Sequence, residues 1–206
     1  MRELSDTQVE ALTEIINVGI GVAASALSDM AGDEVLLSTP HVDFLPPEEV
    51  IRFVDKDIGT KISAVKQNFA GPFDGDVLLL FPERQSLELV RALLRDTVPL
   101  EAMTEMEQEA MCEVGNVLLN ATVSALADAL DTEIETGLPE ALLCQGEELV
   151  PAGDAAKDWV MFLRVDFSLA KTAVRGYVAF LMGLGSIREL GARLEDYLTR
   201  IYAAIG

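Results

Sequence analysis

Glu10-Ala11-Leu12-Thr13-Glu14-Ile15-Ile16-Asn17 decides how this chain is read, because Glu109-Ala110-Met111-Cys112-Glu113-Val114-Gly115-Asn116 repeats its polar positions. Glu10, Glu14 and Asn17 recur as Glu109, Glu113 and Asn116, and Pro40 recurs as Pro139, all at an offset of 99 residues. A repeat of fixed period sets architecture before any other reading. It also marks two equivalent candidate sites, since the repeated residues include polar ones that a core does not need.

Outward from the first copy, residues 5 to 30 read as a helix. Ser5 with Gln8 forms a capping-box signature, and Gly32-Asp33 ends the helix. Leu12, Ile16, Gly19, Ala23, Ala26 and Met30 form an apolar stripe at three- and four-residue spacing. The second copy has Thr104 with Glu107 as its cap and Met111, Gly115, Leu118, Thr122, Ala125 and Ala129 as its stripe. Strand-like runs follow each helix: 34–44 and 133–145, then 58–70 and 159–169, then 73–81 and 173–182. Gly75, Val77 and Leu79 match Gly176, Val178 and Phe180 at an offset of 101, so two residues have entered between the anchors. Further helices are expected over 46–54, 84–95 and 185–204. The two halves, about 1–98 and 99–206, meet near Pro99 with no Ser/Gly-rich linker. Regular βαβ alternation is missing, so a doubly wound parallel sheet is not expected. The expected class is α+β, a mostly antiparallel sheet carrying helices, packed as one pseudo-two-fold unit spanning 1–206.

Half of the 206 residues are hydrophobic, enough for a sizeable core. The longest apolar runs, such as 77–81, are too short to span a bilayer, and the N-terminus lacks a secretory leader. A cytoplasmic, soluble protein is expected. Its 35 acidic and 15 basic residues give a net charge of −20, which disfavours nucleic acid and anionic membranes as partners. A salty cytoplasm in a halophilic source is one origin of so acidic a surface; a solvated surface without partner meaning is the other. Cys112 and Cys144 form no Cys-x-x-Cys pair, and His41 is the sole histidine. A disulfide framework, a zinc site and a His-dependent hydrolase are therefore disfavoured. Cys112 reads as a small buried hydrophobe rather than a nucleophile.

On a helix, residues i, i+4 and i+7 project from one side, so Glu10, Glu14 and Asn17 share a face roughly opposite the apolar stripe. That side continues through Gly21, Ala24, Ser25 and Ser28, and in the second helix through Asn120, Val123, Ser124 and Ala127. Such a surface of small residues admits another protein closely and is not an enclosed substrate pocket. A carboxylate accepts hydrogen bonds or pairs with a cation; a carboxamide donates and accepts and so orients water, but is no useful base. The pair suits attack by water on an electrophile whose remaining chemistry is brought by the partner. Neither a phosphate-binding loop with Lys nor a Gly-x-Gly-x-x-Gly segment is present. A lone Glu-x-x-Asn is ordinarily a solvated helix face; its duplication with identical spacing, in halves otherwise diverged, favours function. Pro40 and Pro139 read as structural, setting the exit into a strand.

These residues resemble the signature of the CheC/CheX/FliY chemotaxis phosphatases, most closely CheC: Asp or Ser, three residues, Glu, two residues, Asn, twenty-two residues, Pro. Glu10 and Glu109 stand at the Asp/Ser position, and Val22 stands where the first helix often has Asn. The resemblance covers nearly the whole chain, including the Gly75–Phe81 strand. It implies a CheC-like internal duplication with two long related helices on one face of the sheet. It also implies hydrolysis of phospho-aspartate on CheY-type response regulators in chemotaxis. Glu14 and Glu113 would pair with the receiver's lysine, Asn17 and Asn116 would orient the water, and Glu10 and Glu109 would support. The receiver would bring its own Mg²⁺, so no cofactor or metal is expected in this chain. Contact with CheD, the receptor-modifying deamidase, is a further implied partnership to which no residue is assigned. The alternative is a non-catalytic module that sequesters phosphorylated CheY or CheD. A FliY-type switch component would need a further C-terminal domain, and the sequence runs to Gly206.

Overall fold

The computed structural model describes residues 4–57, 61–94, 105–149, 159–169 and 172–205. Helix α1 spans Asp6–Ala31. The Ser5 hydroxyl accepts a bond from the Gln8 amide, and the Gln8 side chain accepts one from the Ser5 amide, the reciprocal box read from the sequence. Gly32 ends the helix in the left-handed region, with φ 61°. The matching helix of the second half, Glu105–Ala129, is called α4 below. Its closing residue Asp131, 99 positions after Gly32, adopts the same left-handed conformation with φ 51°. The expected Thr104 cap and the Pro99 seam lie outside the described residues.

The buried track of α1 departs from the expected stripe after Ala23. It continues through Leu27 and Ala31, whereas Ala26 and Met30 are exposed. Successive four-residue steps keep to the core side here; a three-residue step to Ala26 rotates off it. In α4 the track likewise runs Met111, Gly115, Leu118, Thr122, Leu126, with Ala125 and Ala129 half-buried. Val123, expected on the polar side, is buried at the edge of this track. Both helices are long and apolar enough, by length and composition, to cross a membrane. That property exceeds what the short apolar runs of the sequence indicated, and its source is the stripe laid against the sheet.

Among the described residues eight strands form one sheet: β1 (Val35–Leu37), β2 (His41–Leu45), β3 (Ile62–Ala70), β4 (Gly75–Pro82), β5 (Glu135–Thr136), β6 (Glu140–Cys144), β7 (Trp159–Leu169) and β8 (Thr172–Met182). Their pairings are antiparallel. The runs expected as single strands over 34–44 and 133–145 are each broken, with Pro40 and Pro139 directly ahead of β2 and β6. Proline has no N–H to give a ladder, so it marks the place where each strand restarts. The described part of the strand expected over 58–70 begins at Ile62.

Strand order interlocks the halves. β1 and β2 of the first half pair with β7 of the second, and β5 and β6 of the second pair with β3 of the first. The two hairpins meet where β4 pairs with β8. There Leu78 faces Ala179, its own counterpart at the offset of 101, so a pseudo-two-fold axis passes between them.

The remaining helices are α2 (Pro47–Asp57), α3 (Glu83–Leu94), α5 (Gly146–Leu149) and α6 (Leu184–Ile205), completing the numbering with α1 and α4. The four-residue α5 has no counterpart in the sequence reading. One face of the sheet carries α1, α3, α4 and α6, with Leu12, Ile16, Val90, Leu118 and Leu190 packed over Val65, Leu79, Phe81, Leu163 and Phe180. Gly115 lies so close to the sheet that an added Cβ would stand 2.5 Å from Val65. The other face carries α2 and α5, with Val50, Val54 and Leu149 over Ile62, Leu80, Phe162 and Tyr177. Phe53 of α2 meets Phe162 and Tyr177 edge-on at 5.2 and 5.4 Å, in the geometry that aromatic quadrupoles favour. With both faces covered, the long helices turn only their outer sides to solvent.

Candidate functional site

The outer side of α1 carries Glu10 and Glu14, both exposed, and Asn17, half-buried. Glu10, Glu14 and Asn17 make no side-chain hydrogen bond or ion pair among the described residues. Val18 and Val22 flank them and are 64% and 59% exposed, so this face offers apolar surface beside its carboxylates. Ser28, on the same side, is used structurally: its hydroxyl accepts a bond from the Val35 amide and ties the end of α1 to β1. Pro40 is buried.

The outer side of α4 presents Glu109 and Glu113, again exposed and without a cation partner among the described residues. Asn116 is half-buried. Here the face is one wall of an open groove; Leu138, Pro139 and Ala141 form the other. The opposite wall is tied to β3 through Gly137, whose N–H donates to the Asn68 carbonyl at 2.9 Å. A Cβ at Gly137 would meet the Asn68 carboxamide, which would have to swing aside.

The amide of Asn116 is tethered. Asn120 Nδ2, one turn on, donates to Asn116 Oδ1 at 2.8 Å. Asn120 Oδ1 accepts from Gln67 Nε2 at 3.0 Å, and Gln67 Nε2 donates its second proton to the Gly137 carbonyl at 2.7 Å. Gln67 is 1% exposed, and its Oε1 has no partner among the described residues. Asn120 carried a sequence signal, since it follows Asn116 by one turn on the polar side. Gln67 carried none: only the fold of β3 beneath α4 brings it there.

Cys112, expected to be buried, is half-exposed in the groove between Glu109 and Glu113. Burial pushes its thiol up, a backbone hydrogen bond at Ala141 opposes this, and Glu109 and Glu140 push it further up. Cys144 is pushed up to about 11, chiefly by burial and then by Glu148. Both thiols are therefore protonated at neutral pH and poor nucleophiles. Among the described residues no group of three His, Cys, Asp or Glu is placed to hold a metal ion. What each face offers is carboxylate oxygen for a visiting cation and a carboxamide for a water molecule.

No family model matches the chain. In sequence it is 24% identical over 143 residues to a Bacillus subtilis protein named CheY-P phosphatase CheC, covering 68% of each chain. The structure resembles that of Thermotoga maritima FliY with a TM-score of 0.73 at 16% identity, over 96% of this chain and 98% of that one. It also resembles the FliM middle domain from H. pylori, with a TM-score of 0.65 at 12% identity over 92% and 99% of the two chains. The likeness extends over an α+β fold that here carries a carboxylate and a carboxamide on each of two long helices. In sequence the chain is thus similar to a CheC protein, and in fold to a FliY structure. A fold alone does not carry an activity; the side chains of the two faces must do so.

Proposed function

We propose that this protein hydrolyses the phospho-aspartate of a CheY-type response regulator, using Glu14 with Asn17 on one face and Glu113 with Asn116 on the other. The observation that carries the reading is that each Glu–Asn pair stands on an outward helix face with its carboxylate unpaired among the described residues. The Bacillus relative, named a CheY-P phosphatase, supports the same chemistry.

The reaction divides between two proteins. The receiver holds the acyl phosphate and its Mg²⁺, and Glu14 or Glu113 pairs with the receiver's lysine. Asn17 or Asn116 enters the receiver's pocket and holds a water in line with the phosphorus. The water oxygen forms the new P–O bond as the bond to the aspartyl oxygen breaks. Inorganic phosphate and an aspartate carboxylate leave, and the water's proton passes to phosphate or solvent. Phosphoryl transfer asks mainly for positioning and charge stabilisation, which is what a carboxamide on a rigid helix supplies. Glu10 and Glu109 add negative charge one turn before the pair. Pro40 and Pro139 set where β2 and β6 begin. Contact with CheD rests on family resemblance alone.

Phosphate release from a phosphorylated receiver in the presence of Mg²⁺ tests this. Asn17→Ala and Asn116→Ala should each leave partial activity. The double variant should lose roughly 10²- to 10⁴-fold in rate while still binding the receiver. A double variant as active as the parent would sink the water-orienting role. A parent that binds phosphorylated receiver without hastening phosphate loss would establish a sequestering module in its place.

A further inference from the structure

The geometry points to Gln67 and Asn120 as positioning residues that fix the orientation of the Asn116 carboxamide, making the α4 face the better-organised of two unequal sites. This rests on the phosphatase reading above and adds to it residues that act through Asn116.

The sense of every amide in the relay follows from one backbone atom. The Gly137 carbonyl can only accept, so the Gln67 atom 2.7 Å away must be its nitrogen. That nitrogen's other proton requires an acceptor at 3.0 Å, which makes the facing atom of Asn120 its oxygen. Asn120 therefore turns its nitrogen to Asn116, whose facing atom at 2.8 Å must be oxygen. Asn116 is left with both Nδ2 protons and one Oδ1 lone pair for a water. The three amides point head to tail, so each bond polarises the next and strengthens Asn116 as a donor.

The α1 face has no such device. The position matching Asn120 is Gly21, which is exposed, and a Cβ placed there meets nothing within 4 Å. Asn17 has no side-chain partner among the described residues and must be ordered entirely by the incoming receiver. A free amide loses rotamer freedom on docking that a tethered one has already lost.

The test uses an Asn17→Ala background, so that only the α4 face is read, with a receiver phosphorylated by acetyl phosphate. Asn120→Ala should lower kcat about tenfold with KM for the receiver unchanged. Asn120→Asp, nearly identical in shape, should cost at least as much: a carboxylate cannot donate to Asn116 Oδ1 and forces that amide to reverse. A purely structural role predicts that Asp is the milder change. Gln67→Met, which keeps volume and removes both donors, should fall between parent and Asn120→Ala. Unchanged kcat in Asn120→Ala and Asn120→Asp, or a rise in KM alone, overturns the proposal. Should neither the unsubstituted protein nor the Asn17→Ala parent release phosphate, the phosphatase reading fails, and side-chain amide NMR still decides the relay; release by the unsubstituted protein alone overturns the proposal. Asn120→Ala must then shift and mobilise the Asn116 amide resonances; unchanged resonances overturn it.

Discussion

Gly19 of α1 lies against the backbone of α4: a Cβ built on it would stand 2.7 Å from the Ala121 carbonyl oxygen and 2.9 Å from the Thr122 Cα. Neither atom belongs to a flexible side chain, so the helices themselves would have to part. Gly19→Ala removes the entropic disadvantage of glycine in a helix, worth about 1 kcal/mol. Overpacking against backbone costs about 1–3 kcal/mol and wins. The variant should be less stable by up to about 2 kcal/mol in urea melts. It should also lose activity at both faces, because α1 and α4 share this contact. At Gly21, where the same added methyl meets open space, Ala should be neutral or slightly stabilising.

Arg91 of α3 and Glu107 of α4 form a buried ion pair, with side chains 8% and 2% exposed. Removing one partner takes its counter-charge from a group that stays buried, which costs on the order of 3 kcal/mol. Arg91→Met should therefore be far more damaging than Arg91→Met combined with Glu107→Leu. Chemical denaturation of the two variants checks the order. A single variant as stable as the double would show the pair to be dispensable.

The repeat made much of this architecture legible. Equal spacing of Glu, Asn and Pro located both helices and both faces, and the capping box at Ser5 was correct in each bond. Element type along the strand regions also followed from alternation and β-rich composition. What the sequence did not reveal depends on contacts between distant segments. The exchange of β1 and β2 onto β7, and of β5 and β6 onto β3, has no local signature, since either half satisfies its strands equally well on paper. Gln67 reads as one polar residue in a strand until α4 is laid over it. The end of α4 escaped notice because Asp131 stands where α1 has Gly32, and aspartate signals a left-handed residue more weakly than glycine.

That substitution is itself testable. A non-glycine residue in the left-handed region carries a steric cost of about 1–2 kcal/mol, lessened for Asp. Asp131→Gly should stabilise the protein by about 0.5–1 kcal/mol. It also removes an exposed contact with Arg200 Nη1 at 3.5 Å, which is worth little. A lowered melting temperature would mean that the Arg200 contact outweighs the backbone strain.

Cys112 provides a probe of the α4 face. It lies in the groove one turn before Asn116 on the same helix. With its pKa raised, little thiolate is present at pH 8, and alkylation should be slower than that of an unperturbed cysteine and accelerate with rising pH. Cys144, at about 11 against an ordinary 9.0, should react about 100-fold more slowly than an unperturbed thiol. Attaching a bulky maleimide to Cys112 in the Cys144→Ser background should block the α4 face and leave the α1 face working. Full activity after complete labelling would remove the groove from the docking surface.

Glu14 and Glu113 allow the two roles of each face to be separated. Neither carboxylate has a cation partner among the described residues, so replacing either by Gln leaves no buried group stranded and should not destabilise the fold. Asn17 and Asn116 would still hold water, but the receiver's lysine would meet a neutral amide. The expected result is a fall in kcat/KM of about tenfold at the altered face, carried mostly by KM. Salt distinguishes this from misplacement. Screening weakens a charge pair in proportion to its exposure, so the difference between parent and Glu113→Gln should shrink between 0.05 and 0.5 M NaCl, measured in the Asn17→Ala background. A deficit that persists unchanged at high salt would mean that Glu113 acts through hydrogen-bond geometry, and its pairing with a receiver cation would be withdrawn.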